Sequence, residues 1–434
     1  MPLALDPDVG VAVAEDAVGR AQQAGASAAK ALHCYAEHFE VNFETEGVSL
    51  VRTTVTDTLS ITAYAGDRKG SAEMTGRDHD GVDGIVARAV EAAQASEPDP
   101  ANVLPTEAAE PAASRGDEAP DREEMVAVVA RFVEEIRGHH PSILMRSSHY
   151  SFINSWMSYA NSHGRSQHAR KSHYLVTFVL AGHNERGSTS FQYSSVASPQ
   201  PFADISEVGG IRQSLEETER SFDPRPVPAT FVGDIVLTPS ALASLVGNVT
   251  GALSGLALMK RTSPYLEKLG EQIAAPSFTL RHRPGDLAAG LPFDSEGFPN
   301  TDLDIVQGGV LENFLVDWYM SHKLDRPMTT AESNLEVASG DTALEDMIAS
   351  TERGIVMGRY SGSNPNQALD FSGVAKNSFY VEGGKIVGPI NETMVAGNLA
   401  TLLNDVKAVS RQQIDYGMFK MPWLAAGGVT ISTR

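Results

Sequence analysis

The chain has 434 residues, 42% of them hydrophobic, with 55 acidic against 34 basic side chains and a formal net charge of −21. Its size and apolar content suit two or three domains with real cores, whereas the acidic excess argues against nucleic acid or an anionic membrane surface as a direct partner, since both want clustered Lys and Arg. One cysteine, Cys34, excludes an intramolecular disulfide and a thiolate cluster for zinc or iron–sulfur. The opening MPLALDPDVG has no basic n-region and no apolar run, and no stretch reaches the roughly 20 apolar residues of a membrane span, so a cytoplasmic location is expected.

In chain order, Ala-rich helical spacing predicts a helix over 8–28. Period-two alternation follows from Tyr35 to Met74, broken by EGV and AGDRKG turns, and helical spacing returns over 79–96. Residues 97–121 hold five prolines and seven acidic residues. That composition predicts an extended, self-repelling linker or surface loop that folding can dispense with. Asp121 and Glu124 predict the start of a further helix over 121–138. Three long antiparallel strands are expected between 143 and 197, with a turn at Asn161–Gly164, then a helix over 203–220. The Pro-rich 223–231 marks the best domain boundary, giving an N-terminal α+β domain, 1–225, and a C-terminal domain, 226–434. In the second domain the pattern predicts a strand (FVGDIVLTP), a long apolar helix (240–259), a hairpin turning at Gly308–Gly309, strands in RGIVMGRYSG and NSFYVEGGKIVGPI, a helix over 395–411 and a closing strand. The fold class expected is α+β, two lobes of antiparallel strands with packing helices.

Four of the twelve histidines, His149, His163, His168 and His173, fall between 147 and 174. His168 and His173 are five apart and point to opposite faces of a regular strand. His163 sits in a turn, and no Asp or Glu accompanies them between 142 and 182, so surface-strand histidines are the better reading than a metal site. His149, His163 and His173 remain the alternative acid–base candidates. The chain has no His-Glu dipeptide for a zincin helix, no G-x-S-x-G elbow and no Walker A loop. The Gly- and Asn-dense 353–373, RGIVMGRYSGSNPNQALDFSG, reads either as an ordered turn network or as the edge of a groove that pairs with an extended peptide.

The succession NSHGR, PFDSEGFPN, GGVLENFLVDWYMSHKL, RGIVMGRYSGSNPNQALDFSG, FYVEGGKIVGPINETMVAGNL and a closing strand resembles the TldD/PmbA family, once called modulators of DNA gyrase. The resemblance spans nearly the whole chain and implies a curved sheet in the C-terminal lobe. TldD-type members carry a His-Glu-x-x-x-His helix and a late Cys that bind a metal. PmbA/TldE-type members lack them and pair with TldD. Here the corresponding helix, Ser240–Gly255, has no His, Glu or Asp, and 415–434 has no Cys. The resemblance therefore implies a TldE-like subunit with no catalytic residue, metal or other cofactor of its own. It would pair with a TldD-like metallopeptidase that holds zinc, or with itself when alone, and the pair would act on unfolded peptides such as leader peptides. Gly358, Arg359, Gly362, Asn364 and Asp370 are the residues expected to contact substrate or partner. Readings of other classes are a homodimeric peptide- or small-molecule-binding protein and a divergent natural-product tailoring enzyme.

Overall fold

The computed structural model describes residues 7–76, 79–106, 114–330, 334–391 and 393–433. Its first half runs α1 (Pro7–Gln23), β1 (Ala28–Glu44), β2 (Gly47–Ala65), β3 (Arg68–Thr75), α2 (His79–Ala95), α3 (Arg122–His139), β4 (Ile143–Asn161), β5 (Ser166–Asn184), β6 (Gly187–Ser188), β7 (Gln192–Ser198) and α4 (Ile211–Arg220). The second half runs β8 (Phe231–Leu237), α5 (Pro239–Ala252), α6 (Gly255–Met259), β9 (Leu280–His282), β10 (Leu303–Gln307), β11 (Val310–Leu311), α7 (Trp318–Leu324), β12 (Leu335–Val337) and α8 (Leu344–Ala349). It closes with β13 (Arg353–Met357), β14 (Arg359–Gly362), β15 (Asp370–Lys376), β16 (Ser378–Glu382), β17 (Lys385–Ile390), β18 (Thr393–Asn398), α9 (Leu399–Asn404), β19 (Val406–Asp415) and β20 (Lys420–Thr433). The fold is α+β, with one sheet in each half.

The first sheet has the order β3-β2-β1-β4-β5, and β6 and β7 both pair with β5. Alternation along its strands sends one set of side chains to the helices. Ala29, Ala31, Leu59, Ile61 and Ala160 pack under α1 and α2. Phe39, Val41, Phe152, Tyr174 and Val176 pack under α3. The cap expected for α3 is present: Asp121 accepts from the Glu124 N–H at 3.0 Å, and Met125, Val128, Val129, Phe132, Val133 and Ile136 form the buried stripe. The sheet's other face meets the second half. Phe293 packs on Tyr159 and Ala169 there, and Gln167 Nε2 donates to the Gly297 carbonyl at 2.7 Å.

The second sheet is larger, β11-β10-β9-β12-β20-β8-β13-β16-β17, with β20 also carrying β18, β15, β14 and β19. It is antiparallel except for β8–β13 and β12–β20. α5 lies on it, burying Leu242, Leu245, Val246 and Val249 against Ile235, Leu237, Leu424 and Ala426.

Several expectations are corrected. The strand of β1 starts at Ala28, so α1 ends five residues early; Gly25 takes φ +98° and stops it. Of the 203–220 helix only α4 forms, because Gly209 and Gly210 take positive φ. The 240–259 helix is two: Ser254 caps α6, and the Gly255 N–H goes to the Leu315 carbonyl rather than up the helix. The helix over 395–411 is a single short α9 between β18 and β19, because these residues complete the sheet around β20.

The largest correction is at 97–121, whose middle, 107–113, lies outside the described residues. The flanks are strapped to both halves. Ala101 and Leu104 are buried. Asp99 accepts from Lys323 and Tyr319 at 2.8 and 2.7 Å, and the Val103 carbonyl from Trp318 Nε1 at 2.7 Å. Arg115 pairs by backbone with β5 and donates to the carbonyls of Pro284, Gly285 and Gly290 at 2.9, 2.9 and 2.6 Å. Composition reports the solubility of such a segment, not whether the body offers it partners.

Candidate functional site

α5 begins where the two halves meet. Thr238 caps it, accepting from the Ala241 N–H at 3.3 Å, and its hydroxyl donates to the Gly358 carbonyl at 2.9 Å. The helix start is thereby tied to the break between β13 and β14. With one face of α5 in the core, its opposite face, Ser240, Ala243, Ser244 and Gly247, lines a cleft of about 410 Å³. The facing walls are Tyr193, Ser194 and Ser195 of β7, Leu335, and Tyr416, Met418, Phe419 and Met421 around the β19–β20 turn. The lining is mostly apolar, with the serines of β7 and α5 among it.

The chemistry available on α5 is limited. The Ser244 hydroxyl donates to the Ser240 carbonyl at 3.2 Å, and Asn248 Nδ2 to the Ser244 carbonyl at 2.8 Å, so both turn back onto the helix. Zinc wants three or four imidazole, carboxylate or thiolate donors. Hydroxyls and an amide do not fit it, and among the described residues no three His, Cys, Asp or Glu side chains cluster as a metal site. One ionisable group does approach. Glu217 of α4 lies with Gln213, Thr238, Ser240, Gly358 and Tyr416 around a smaller adjoining cleft. Burial pushes its carboxyl up, with Gln213 Nε2 donating to it at 2.7 Å. Burial, and then Glu217, also raise the Tyr416 phenol. Sequence reasoning missed Glu217, because Glu216, Glu217 and Glu219 stand together and only the register of α4 decides which one turns inward.

The five residues singled out from the sequence do not converge. Gly358 lines the smaller cleft, and a Cβ there would lie 2.1 Å from the Asn377 carbonyl oxygen. Arg359 stacks its guanidinium 4.6 Å from the Phe191 ring centroid, and Asn377 Nδ2 donates to the Phe191 carbonyl at 3.0 Å. Burial lowers the Arg359 guanidinium from its ordinary value. The other three lie at the far end of the β14–β15 hairpin. A Cβ on Gly362 would meet the Tyr360 hydroxyl at 2.5 Å. Asn364 is exposed. Asp370 accepts from Asn398 and Asn366 at 2.8 and 3.1 Å, which holds its carboxyl below its ordinary value. Around Asp370 these bonds, with the Asp370 N–H donating to Asn366 Oδ1 at 2.9 Å, form an ordered turn network.

The histidines stay apart as well. His149 faces Thr177 and His173 faces Ile153 across the β4–β5 pair, with His168 on the opposite face of β5 from His173. Burial lowers His149, and burial first and Lys171 second push His173 down to about 4. His163 holds the turn, its N–H donating to Asn161 Oδ1 at 3.0 Å, with Nδ1 3.4 Å from the Pro105 carbonyl.

Residues 231–433 match the PmbA/TldA metallopeptidase C-terminal domain family. The metalloprotease PmbA of Escherichia coli is 25% identical over 429 residues, covering 91% of this chain and 88% of the relative. A zinc metalloprotease TldD homolog of Saccharolobus solfataricus is 20% identical, covering 69% of this chain and 70% of its own. Among solved structures, TldE of Thermococcus kodakarensis superimposes with a TM-score of 0.80 at 20% identity, over 96% of this chain and 99% of that one. A Bacteroides thetaiotaomicron protein named as a modulator of DNA gyrase gives 0.86 at 24%, over 98% of both chains. At these identities the two structures speak for the fold alone.

Proposed function

Because the chain belongs to the PmbA/TldD metallopeptidase family, we propose that it is the TldE-like subunit of a two-subunit peptidase, supplying channel wall while a TldD-like partner supplies the zinc. The observation that carries this reading is the α5 cleft: where the resemblance puts the family's His-Glu-x-x-x-His helix, Ser240, Ala243, Ser244 and Gly247 face the cavity. No step through a metal is assigned to this chain. Its own contribution is steric and polar. The apolar cleft takes side chains of an extended peptide, and the walls from β7 and the β19–β20 turn exclude a folded domain. Gly358 and Arg359, at the smaller cleft and beside it, are the proposed substrate contacts, and Gly362, Asn364 and Asp370, at the far end of the β14–β15 hairpin, the proposed partner contacts.

The test mixes this chain with a TldD-like subunit and follows an unstructured peptide and a folded protein. The pair is expected to cleave the peptide alone, in a chelator-sensitive way, while neither subunit does so by itself. Elemental analysis of the untagged chain is expected to find less than stoichiometric metal. Peptide hydrolysis by this chain alone, or a partner equally active without it, refutes the reading. A pair that cleaves normally with Arg359→Ala and Asn364→Ala refutes only the residue assignment.

A further inference from the structure

Among the described residues that line the smaller cleft, Glu217 is the single charged one; Gln192, Gln213, Ser214, Thr238 and Ser240 around it are neutral. Its carboxylate accepts one hydrogen bond, from Gln213 Nε2 at 2.7 Å, and no Lys, Arg or His of the described residues forms an ion pair with it. Arg220 acts on it only through space, being exposed and lying 5.1 Å from the Phe379 ring centroid. The start of α5 adds little. Pro239 has no N–H to give, and Thr238 takes those of Ala241 and Leu242. A second polar group on the same cleft is also unmet. Tyr416 is 6% exposed, and its hydroxyl makes no hydrogen bond with the described residues. Burial, and then the nearby Glu217 carboxylate, raise that phenol, so the two groups are neighbours without a bond between them. Buried polar groups left this way are uncommon, because each forfeits its water without gaining a partner.

The geometry points to a subsite for a primary ammonium, in which a peptide lying in the α5 cleft presents a lysine side chain, or its own free N-terminus, to the Glu217 carboxylate and the Tyr416 hydroxyl. The two clefts share Ser240 and Tyr416, so a chain in the larger one has the smaller one beside it. The smaller cleft holds about 40 Å³, room for one group of water size at about 30 Å³. An ammonium is of that size and a guanidinium is not. It also brings three donors to a site whose polar atoms lack them, and its charge meets that of Glu217 where solvent screens weakly. The inference rests on the peptidase-subunit reading for the path of the peptide, and adds to it a preference for peptides with an accessible amine.

Binding is read on the full chain alone by fluorescence anisotropy, with one unstructured peptide labelled at its C-terminus. Three N-acetylated forms carry lysine, norleucine or arginine at a single position, and a fourth carries norleucine with a free N-terminus. The acetylated lysine form, the free N-terminus form or both are expected to bind about tenfold or more tighter than acetylated norleucine, the effect of one hydrogen-bonded charge. Which of them gains tells a side chain from a chain end. The arginine form is expected to bind no better than norleucine. Glu217→Gln should bring the ammonium-to-norleucine ratio within about twofold, while Glu216→Gln, on the exposed side of α4, keeps it. A variant that merely folded less well would weaken every form and leave the ratio intact. Equal binding of all forms, no binding of any, an arginine form as tight as the ammonium forms, or a Glu217→Gln chain that keeps the ratio overturns the proposal. Cleavage by the pair with a TldD-like subunit separates the two readings. A pair that cleaves peptide while the chain shows no ratio removes the subsite and leaves the subunit reading; a pair that cleaves nothing removes the subunit reading, and the ratio on the chain alone still decides the subsite.

Discussion

Replacing Arg115 by Ala tests whether the 97–121 segment is a strap or a tether. The guanidinium donates to three carbonyls of the 284–290 loop, two of them in part-buried bonds and one exposed. Charge-assisted bonds of the part-buried kind contribute about 1–1.5 kcal/mol each, and the exposed one about 0.5 kcal/mol once solvent competes. The loss expected is therefore about 2.5–3.5 kcal/mol, since the alanine keeps the backbone pairing with β5 but leaves the carbonyls without their donor. Unfolding entropy scales with length, so a chain of this size loses only about 1 °C per kcal/mol, and the melting temperature should fall by roughly 2.5–3.5 °C. Urea unfolding followed by the fluorescence of Trp156, Trp318 and Trp423 gives the free energy directly. Arg115→Lys should fall between, because a single ammonium cannot reach three acceptors arranged for a planar fork. A change for Arg115→Ala within about 0.5 kcal/mol, the value for a solvated surface residue, would refute the strap and restore the linker.

Two further outcomes are expected. His282 is fully buried, accepts from the Asn334 N–H at 3.2 Å, and is pushed down to about 4 by burial and then by Arg283. The unfolded chain therefore binds the proton more readily between pH 6.5 and 4, and stability falls as pH drops through that window, by up to about 3 kcal/mol for this group; denaturation of His282→Gln between pH 7 and 4 should show a shallower fall, and an identical slope would remove His282 as the cause. Gly358→Ala places a methyl 2.1 Å from the Asn377 carbonyl oxygen, a backbone atom that cannot swing aside, so a loss of about 2 kcal/mol or more is expected in urea, and a variant as stable as the parent would show that β14 shifts freely.

The sequence by itself determined the elements whose signals are local. The Asp121 cap and the stripe from Met125 to Ile136 announce α3, and alternation announces β1, β4 and β5, because each is a property of neighbouring residues. The absence of metal ligands on α5 is equally a matter of composition. What sequence reasoning could not reach is whatever depends on residues far away in the chain. Leu399 to Asp415 has helical spacing, yet β20 needed a partner strand and took most of it. The acid- and proline-rich flanks of 97–121 read as solvated, yet the body offered carbonyls and amines in the right places. Glu217 is one of three similar glutamates until α4 docks. The ring on which Arg359 stacks, Phe191, stands 168 residues earlier. Local hydrogen bonds and periodicity are written in short windows, whereas burial and pairing are settled only when distant segments compete for the same partners.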